Sequence, residues 1–174
     1  DYLKSLNEKK YIMVEYGVES TLDRTLKLIN RGHLYDVAQK AITETAQRGI
    51  ATGAHLILGL PMESPEEMLA HADRISKLPL TCIKLHQLQI IKGTKMEEQY
   101  LQNPEWFHLF SAEEYIDLVL QFTERLNPDF VIERFISQSP PSLLAVEGWG
   151  LKNFEFTAKL EKKMREKNII QGSL

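Results

Sequence analysis

Cysteine is almost missing from this chain: Cys82 stands alone, which excludes an internal disulfide framework and suits a reducing, cytoplasmic setting. No apolar run reaches the length that crosses a bilayer, and no signal-peptide pattern opens the chain, so no membrane partner is expected. Dense basic blocks are also lacking and the formal net charge is −3, so the sequence has no electrostatic footprint for a nucleic acid. The nearest candidate, residues 159–167, interleaves Glu161 and Glu166 with its lysines and reads as a solvated helix face. The first residue is Asp1 rather than Met, and the chain is expected to hold only part of the working protein. What it does have is a hydrophobic content of 43%, ample for one domain with a real core.

Strand and helix signals alternate along the sequence. Tyr11 to Glu19 reads as a strand and Thr21 to Arg31 as a helix, with Ser20-x-x-Asp23 as its capping box and Gly32 at its left-handed end. A second helical stretch, Tyr35 to Arg48, closes at Gly49. Thr52 to Leu60 is the next strand. Ser64-Pro65-Glu66-Glu67 starts a helix that Pro79 stops, since serine caps, proline suits the first helical position and Glu67 completes the box. Thr81 to Ile91 is a third strand, and Gly93-Thr94 leads into an irregular segment through Trp106. Ser111-x-x-Glu114 caps a helix ending near Asn127, followed by a fourth strand, Phe130 to Ile136, and a final amphipathic helix, Asn153 to Lys167. Strands separated by helices at this spacing make βαβ units and a parallel sheet, an α/β fold.

The two faces of these strands differ. Side chains alternate across a sheet, so Met13, Glu15, Gly17 and Glu19 share one face, His55, Ile57 and Gly59 the next strand's, and then Lys84 with His86, and Glu133 opposite Ile132 and Arg134. Strands covered by helices on both sides are apolar throughout. Here every strand carries an ionisable group on one face, and burying such groups is costly unless they are paired, hydrated or bound to a ligand. Two arrangements satisfy this requirement. One is a buried network with Glu15 and Glu19 against Lys84 and the histidines between them; the other is the ligand-holding lumen of a full or partial barrel. In the second, the working rim lies at the carboxyl ends of the strands, at Glu19, Leu58-Gly59-Leu60 and residues 89–94. Arg31 admits two readings, a cation complementing a helix dipole or, within Asn30-Arg31-Gly32-His33, a carboxylate-binding corner. Cys82, inside an apolar strand, reads as a buried, inert thiol, and His71 and His108 as residues in polar surroundings without a role.

The ordered strings Glu15-Tyr-Gly-Val-Glu-Ser20, Asn30-Arg-Gly-His33, His55-Leu-Ile-Leu-Gly-Leu-Pro61, Ile83-Lys-Leu-His-Gln-Leu88, Lys92-Gly-Thr94 and Val131-Ile-Glu-Arg134 resemble the second half of a radical S-adenosylmethionine (SAM) enzyme. The branch is that of oxygen-independent coproporphyrinogen oxidase and the catalytic part of Elongator, and within it the YhcC-like Fe–S oxidoreductases. The resemblance implies the C-terminal half of a partial (β/α)6 TIM-like barrel over residues 1–136 and a C-terminal extension with an amphipathic helix over 137–174. It also implies roles. Glu19 would face the methionine part of the cofactor and Arg31 would hold its carboxylate. His55 stands where relatives carry an acidic residue near the ribose. The backbone of Leu58, Gly59 and Leu60, with residues 89–91, would flank the adenine. Lys84, His86, Glu133 and the segment around Trp149 would meet a substrate that the sequence does not name; RNA follows only by analogy with Elongator.

Such enzymes cleave SAM reductively at a [4Fe–4S] cluster to a 5′-deoxyadenosyl radical. Clusters are held by cysteine thiolates, and one cysteine cannot supply three. The cluster cysteines are therefore expected upstream of Asp1, no metal is expected on this chain, and the chain alone is expected to bind no cofactor and to be inactive. An unpaired barrel edge near Tyr11 to Glu19 is expected to drive self-association. Two other classes compete: a metal-dependent barrel hydrolase using His55, His86 and Glu19 or Glu133 around zinc, though no His-x-His pair occurs, and a non-catalytic binding domain.

Overall fold

The computed structural model describes residues 2–174. After a short helix α1 (Tyr2–Asn7), the order is β1 (Met13–Glu19), α2 (Asp23–Leu28), α3 (Tyr35–Ala46), β2 (Ala51–Leu58), α4 (Pro65–Ile75) and β3 (Cys82–Gln87). Then come α5 (Lys95–Gln102), a 3-10 turn (Pro104–Trp106), α6 (Ala112–Arg125), β4 (Val131–Arg134), a second 3-10 turn (Pro141–Leu143) and α7 (Asn153–Lys167). The strands form one parallel sheet in the order β1-β2-β3-β4. The sheet is open, with β1 and β4 as edges, so the barrel-like α/β reading holds as an unclosed wall.

The apolar face follows from the alternation. Val18, Leu56, Leu58, Ile83 and Leu85 are fully buried against Ile42 of α3, Met68 and Ile75 of α4, and Ile116 and Phe122 of α6. Each such side chain contributes about 1.5–3 kcal/mol on leaving water. The C-terminal segment shares this core through Phe156 and Leu160. Two helix starts form as local chemistry dictates: Ser64 and Ser111 each close a reciprocal capping box, with Glu67 and Glu114 respectively. Among the described residues no helix is long and apolar enough to cross a membrane.

Several local expectations are corrected. The Ser20-x-x-Asp23 box does not form. The Ser20 hydroxyl donates instead to Glu63 Oε1 at 2.5 Å, and the Asp23 carboxylate accepts from the Tyr35 amide at the start of α3. The left-handed residue after α2 is Asn30 (φ 55°), not Gly32. Residues 95–102 are helical because Thr94 caps them, its hydroxyl accepting from the Glu97 amide while the Glu97 carboxylate accepts from Gly93. β3 stops at Gln87, since Ile90 and Ile91 turn away to pair with residues 144–145. A bulge at Ile83/Lys84 pairs Lys84 with Arg134, leaving Glu133 as the extra residue. Arg134 consequently reaches the polar face rather than the apolar one.

Candidate functional site

The polar face holds two linked groups of side chains. On the first, β2 sets His55 beside Gly17 of β1 and Lys84 of β3. His55 Nε2 lies 2.9 Å from Glu15 Oε2, Lys84 Nζ donates to Glu15 Oε1, and Lys84 Nζ also meets Glu133 Oε2 at 3.1 Å. Glu15, and less so Glu133, raise the affinity of Lys84 for a proton; Lys84 with His55 holds Glu15 below its ordinary range, and the Cys82 thiol with Lys84 does the same for Glu133. The second group is His86, whose Nε2 accepts from Arg134 Nη2 at 2.6 Å; its ring lies 5.5 Å from that of His55. Burial and the Arg134 charge push His86 down to about 4. The network thus has Glu15 against Lys84 as the paired arrangement expects, but Glu133 rather than Glu19 is the second carboxylate.

Glu19 belongs to the rim. A β-bulge between Gly17 and Glu19 ends the regular ladder, and Glu19 takes a left-handed backbone (φ 64°). That conformation costs a residue with a Cβ about 1–2 kcal/mol, and such strain is characteristic of functional positions. It brings the carboxylate back beside Gly17 and to 3.6 Å from Arg31 Nη2. Burial lifts the Glu19 carboxyl above its ordinary value, against the opposing pull of Arg31, His55 and His33. Arg31 Nη2 also donates to the Gly17 carbonyl at 2.6 Å, whereas its buried Nε has no partner. The next rim element is the turn after β2. Leu58 and Leu60 are buried and Gly59 sits at φ 94°, with the Phe110 ring 3.4 Å from where a Cβ would stand.

Behind this rim lies a buried chain of hydrogen bonds that sequence reading missed. Arg74 Nη1 donates to Thr21 Oγ1 (3.0 Å), Thr21 Oγ1 is 2.7 Å from His71 Nδ1, His71 Nε2 is 3.1 Å from Glu63 Oε2, and Glu63 Oε1 accepts from Ser20. His71 is fully buried, and its expected polar surroundings are the Thr21 hydroxyl and the Glu63 carboxyl group. The chain ties the residues after Glu19 to the turn after Gly59, fixing two rim elements to one another. Its one legible sign was a histidine at a core-facing position of α4, a type that is seldom buried without a partner.

The arrangement brings Glu19 and Arg31 together at the end of β1, sets His55 in mid-β2 opposite Gly17, and leaves Gly59 in the turn after β2 against Phe110 and Leu88. It gathers Lys84, His86 and Glu133 into the central network, where Glu15 pairs with Lys84 as the paired arrangement has it and Arg134 is the partner that sequence reading left without a role. His55 and His86 each commit Nε2 to a neighbour, and among the described residues no three His, Cys, Asp or Glu groups converge as a metal site. Cys82 is buried, its thiol pushed up to about 12 chiefly by burial.

Residues 80–166 match the radical SAM C-terminal domain. The chain belongs to the radical SAM family. This radical SAM chain is 31% identical over 172 residues to the uncharacterized protein YtqA of Bacillus subtilis, covering 99% of its own length and 53% of that protein. It is 34% identical over 175 residues to the uncharacterized protein MJ0486 of Methanocaldococcus jannaschii, covering 99% and 54%. It therefore spans about half the length of these curated relatives. Its fold is similar to part of Methanocaldococcus infernus Elp3 lacking residues 1–46, with a TM-score of 0.83 at 22% identity over 97% of this chain and 39% of that one.

The residues of the radical SAM chain fit one of the two groups the family implies. Arg31, with an unpartnered buried Nε beside a half-buried carboxylate, suits the zwitterionic amino-acid end of SAM: a guanidinium for the carboxylate and Glu19 for the ammonium. A [4Fe–4S] cluster is not fitted by these residues, because it needs several thiolates and the chain has one buried thiol.

Proposed function

We propose that this chain is the SAM-binding wall of a radical SAM enzyme whose cluster is held by polypeptide outside these 174 residues. The observation that carries the reading is the Arg31 corner: a guanidinium anchored by the Gly17 carbonyl, with its buried Nε free and a strained Glu19 carboxylate beside it. In this family SAM supplies hydrogen-atom abstraction from a substrate. The chain's own part is to orient the cofactor and exclude water. Arg31 holds its carboxylate, Glu19 its ammonium, and Leu58, Gly59 and Leu60 offer backbone to its adenosine. His55, tethered to Glu15, stands beside the ribose, while Lys84, His86 and Glu133 line the space beyond. The same electrostatics hold Lys84 and Glu15 in their charged forms and keep the floor of the site rigid.

The test uses the natural protein that contains this chain, reconstituted anaerobically with iron and sulfide and reduced. It is expected to release 5′-deoxyadenosine from SAM. Arg31→Ala is expected to weaken SAM binding about tenfold or more without changing the circular dichroism spectrum. Unchanged affinity in that variant removes Arg31 from the site, and absence of SAM binding to the wild type overturns the reading.

A further inference from the structure

Among the charged side chains of the polar face, Arg134 stands apart. Lys84 is shared by Glu15 and Glu133, and Arg31 has Glu19 beside it. No carboxylate among the described residues comes within 4.0 Å of the Arg134 guanidinium. Its hydrogen bond goes instead to an imidazole, from Nη2 to His86 Nε2 at 2.6 Å, and its buried Nε has no partner. The bulge at Ile83/Lys84 puts the cation there, by setting Arg134 opposite Lys84. A half-buried charge with no counter-charge is costly, and a bound anion removes that cost.

Arg134 also fixes the proton of His86. A guanidinium keeps all its hydrogens and can only donate, so His86 Nε2 is the acceptor. The ring is neutral, since burial and the surrounding Arg134, His55 and Lys84 charges push it down to about 4. Its hydrogen therefore sits on Nδ1. In these two side chains the buried, unpartnered nitrogen is Arg134 Nε alone. His86 Nδ1 and Arg134 Nη1, which also lack partners among the described residues, thus reach open space. Neighbouring His55 turns its Nε2–H away, to the ionised Glu15 carboxylate at 2.9 Å.

The charges nearby select the anion. Glu15 and Glu133 stand on the same face as Arg134, both held in their charged forms. A single negative charge balances Arg134, whereas a doubly charged phosphate would bring its second charge towards those carboxylates. A planar carboxylate also matches the flat fork of a guanidinium. We propose that Arg134 and the Nδ1–H of His86 form a carboxylate-binding site, and that the molecule acted on beside the central network is a carboxylic acid anion. Its being the substrate rests on the cofactor reading above; the carboxylate site does not.

The chain has five histidines, so isotope-labelled imidazole nitrogens give a simple NMR spectrum in which His86 is the signal lost in His86→Leu. At neutral pH it is expected as the Nδ1–H tautomer. Propionate, on the order of tens of millimolar, is expected to shift that signal saturably, while propionamide and inorganic phosphate bind at least about tenfold more weakly. Arg134→Gln is expected to abolish the propionate response and to raise the pH at which His86 titrates, and the titrations of the unmodified chain decide the matter where that variant misfolds. An Nε2–H tautomer, no saturable response to propionate, or a response that survives Arg134→Gln overturns the proposal. Tighter binding of phosphate also overturns it, by assigning the corner to a phosphate ester. The same titration in the natural protein, free of iron, separates two other occupants. Loss of the response there assigns Arg134 to a carboxylate of the completing polypeptide. Displacement of propionate by S-adenosylhomocysteine assigns the corner to the cofactor and leaves the cofactor reading intact. Either result overturns the proposal. Propionate binding that persists when SAM binding to the natural protein proves absent supports the carboxylate site and sinks only the cofactor reading.

Discussion

Two glycines flanking α2, Gly17 before it and Gly32 after it, illustrate how much of the rim depends on single atoms. A Cβ on Gly17 would overlap the Glu19 carboxylate and come within 2.5 Å of Arg31 Nη2, which itself donates to the Gly17 carbonyl. Gly32, by contrast, has open space around it and no positive φ. Gly17→Ala is expected to cost about 1–3 kcal/mol in urea denaturation, the usual range for overpacking, and to displace Arg31, whereas Gly32→Ala is expected to be neutral or slightly stabilising because it narrows the unfolded ensemble. Equal effects at the two positions would mean that the Gly17–Arg31 contact is not a constraint. His86 gives the residue scale its pH dependence. Its affinity for a proton falls from the ordinary 6.5 to about 4 in the fold, so between those values the unfolded chain binds the proton and the native one does not. Stability is full above about pH 6.5 and declines as pH falls towards 4, by on the order of 1–3 kcal/mol. Glu15 and Glu133, held below their ordinary range, add a further decline under pH 4.5. His86→Leu is expected to remove the upper part of that slope in denaturation curves taken across the range, and an unchanged slope would contradict the burial of an uncharged imidazole against Arg134.

At the scale of elements, the buried chain Arg74–Thr21–His71–Glu63–Ser20 joins the turn after β1 to the turn after β2. His71→Phe keeps the volume but leaves the fully buried Glu63 carboxylate with one partner fewer. Loss of a partner to a buried charged group costs about 3–5 kcal/mol, and the expected result is a midpoint shift of that size with a loosened Glu19 corner; a change under about 1 kcal/mol would show the chain to be incidental. The same network shows where sequence was legible and where it was not. The boxes at Ser64 and Ser111 were readable because cap and acceptor are three residues apart and no distant partner displaces them; Arg24 shares Glu67 Oε2 with the Ser64 amide without breaking the box. Ser20 has the same local pattern, but its hydroxyl is claimed by Glu63, 43 residues away, and Asp23 is claimed by α3. Alternation located the ionisable face on all four strands. It did not yield the partners, because bulges at Gly17/Glu19 and Ile83/Lys84 shift the register: Glu19 left the central network for Arg31, and Arg134 joined His86. Helix α5 was missed although Thr94-x-x-Glu97 is its cap, since its side chains bury nothing fully and no apolar stripe announces it.

For the whole molecule the open sheet is the governing fact. Its two edges are not equivalent. β4 has four residues and lies near the C-terminal tail, where Gln171 Nε2 donates to the Phe130 carbonyl. β1 has seven residues, and among the described residues the one element before it, α1, buries no side chain. Exposed Tyr11 stands at its start, 76% accessible. A long, unpaired strand edge is a template for another strand, and short edges are much less so. The isolated chain is therefore expected to associate through β1, with a mass in static light scattering that rises with protein concentration. Tyr11→Lys places charge at the mouth of that edge and is expected to shift the equilibrium towards monomer. Polypeptide that completes the barrel would occupy the same edge, so the natural protein containing this chain is expected not to share the association. A monomer at every concentration would mean that the β1 edge is already protected within the chain. Association unaffected by Tyr11→Lys, and equally present when the barrel is complete, would move the contact away from β1 altogether.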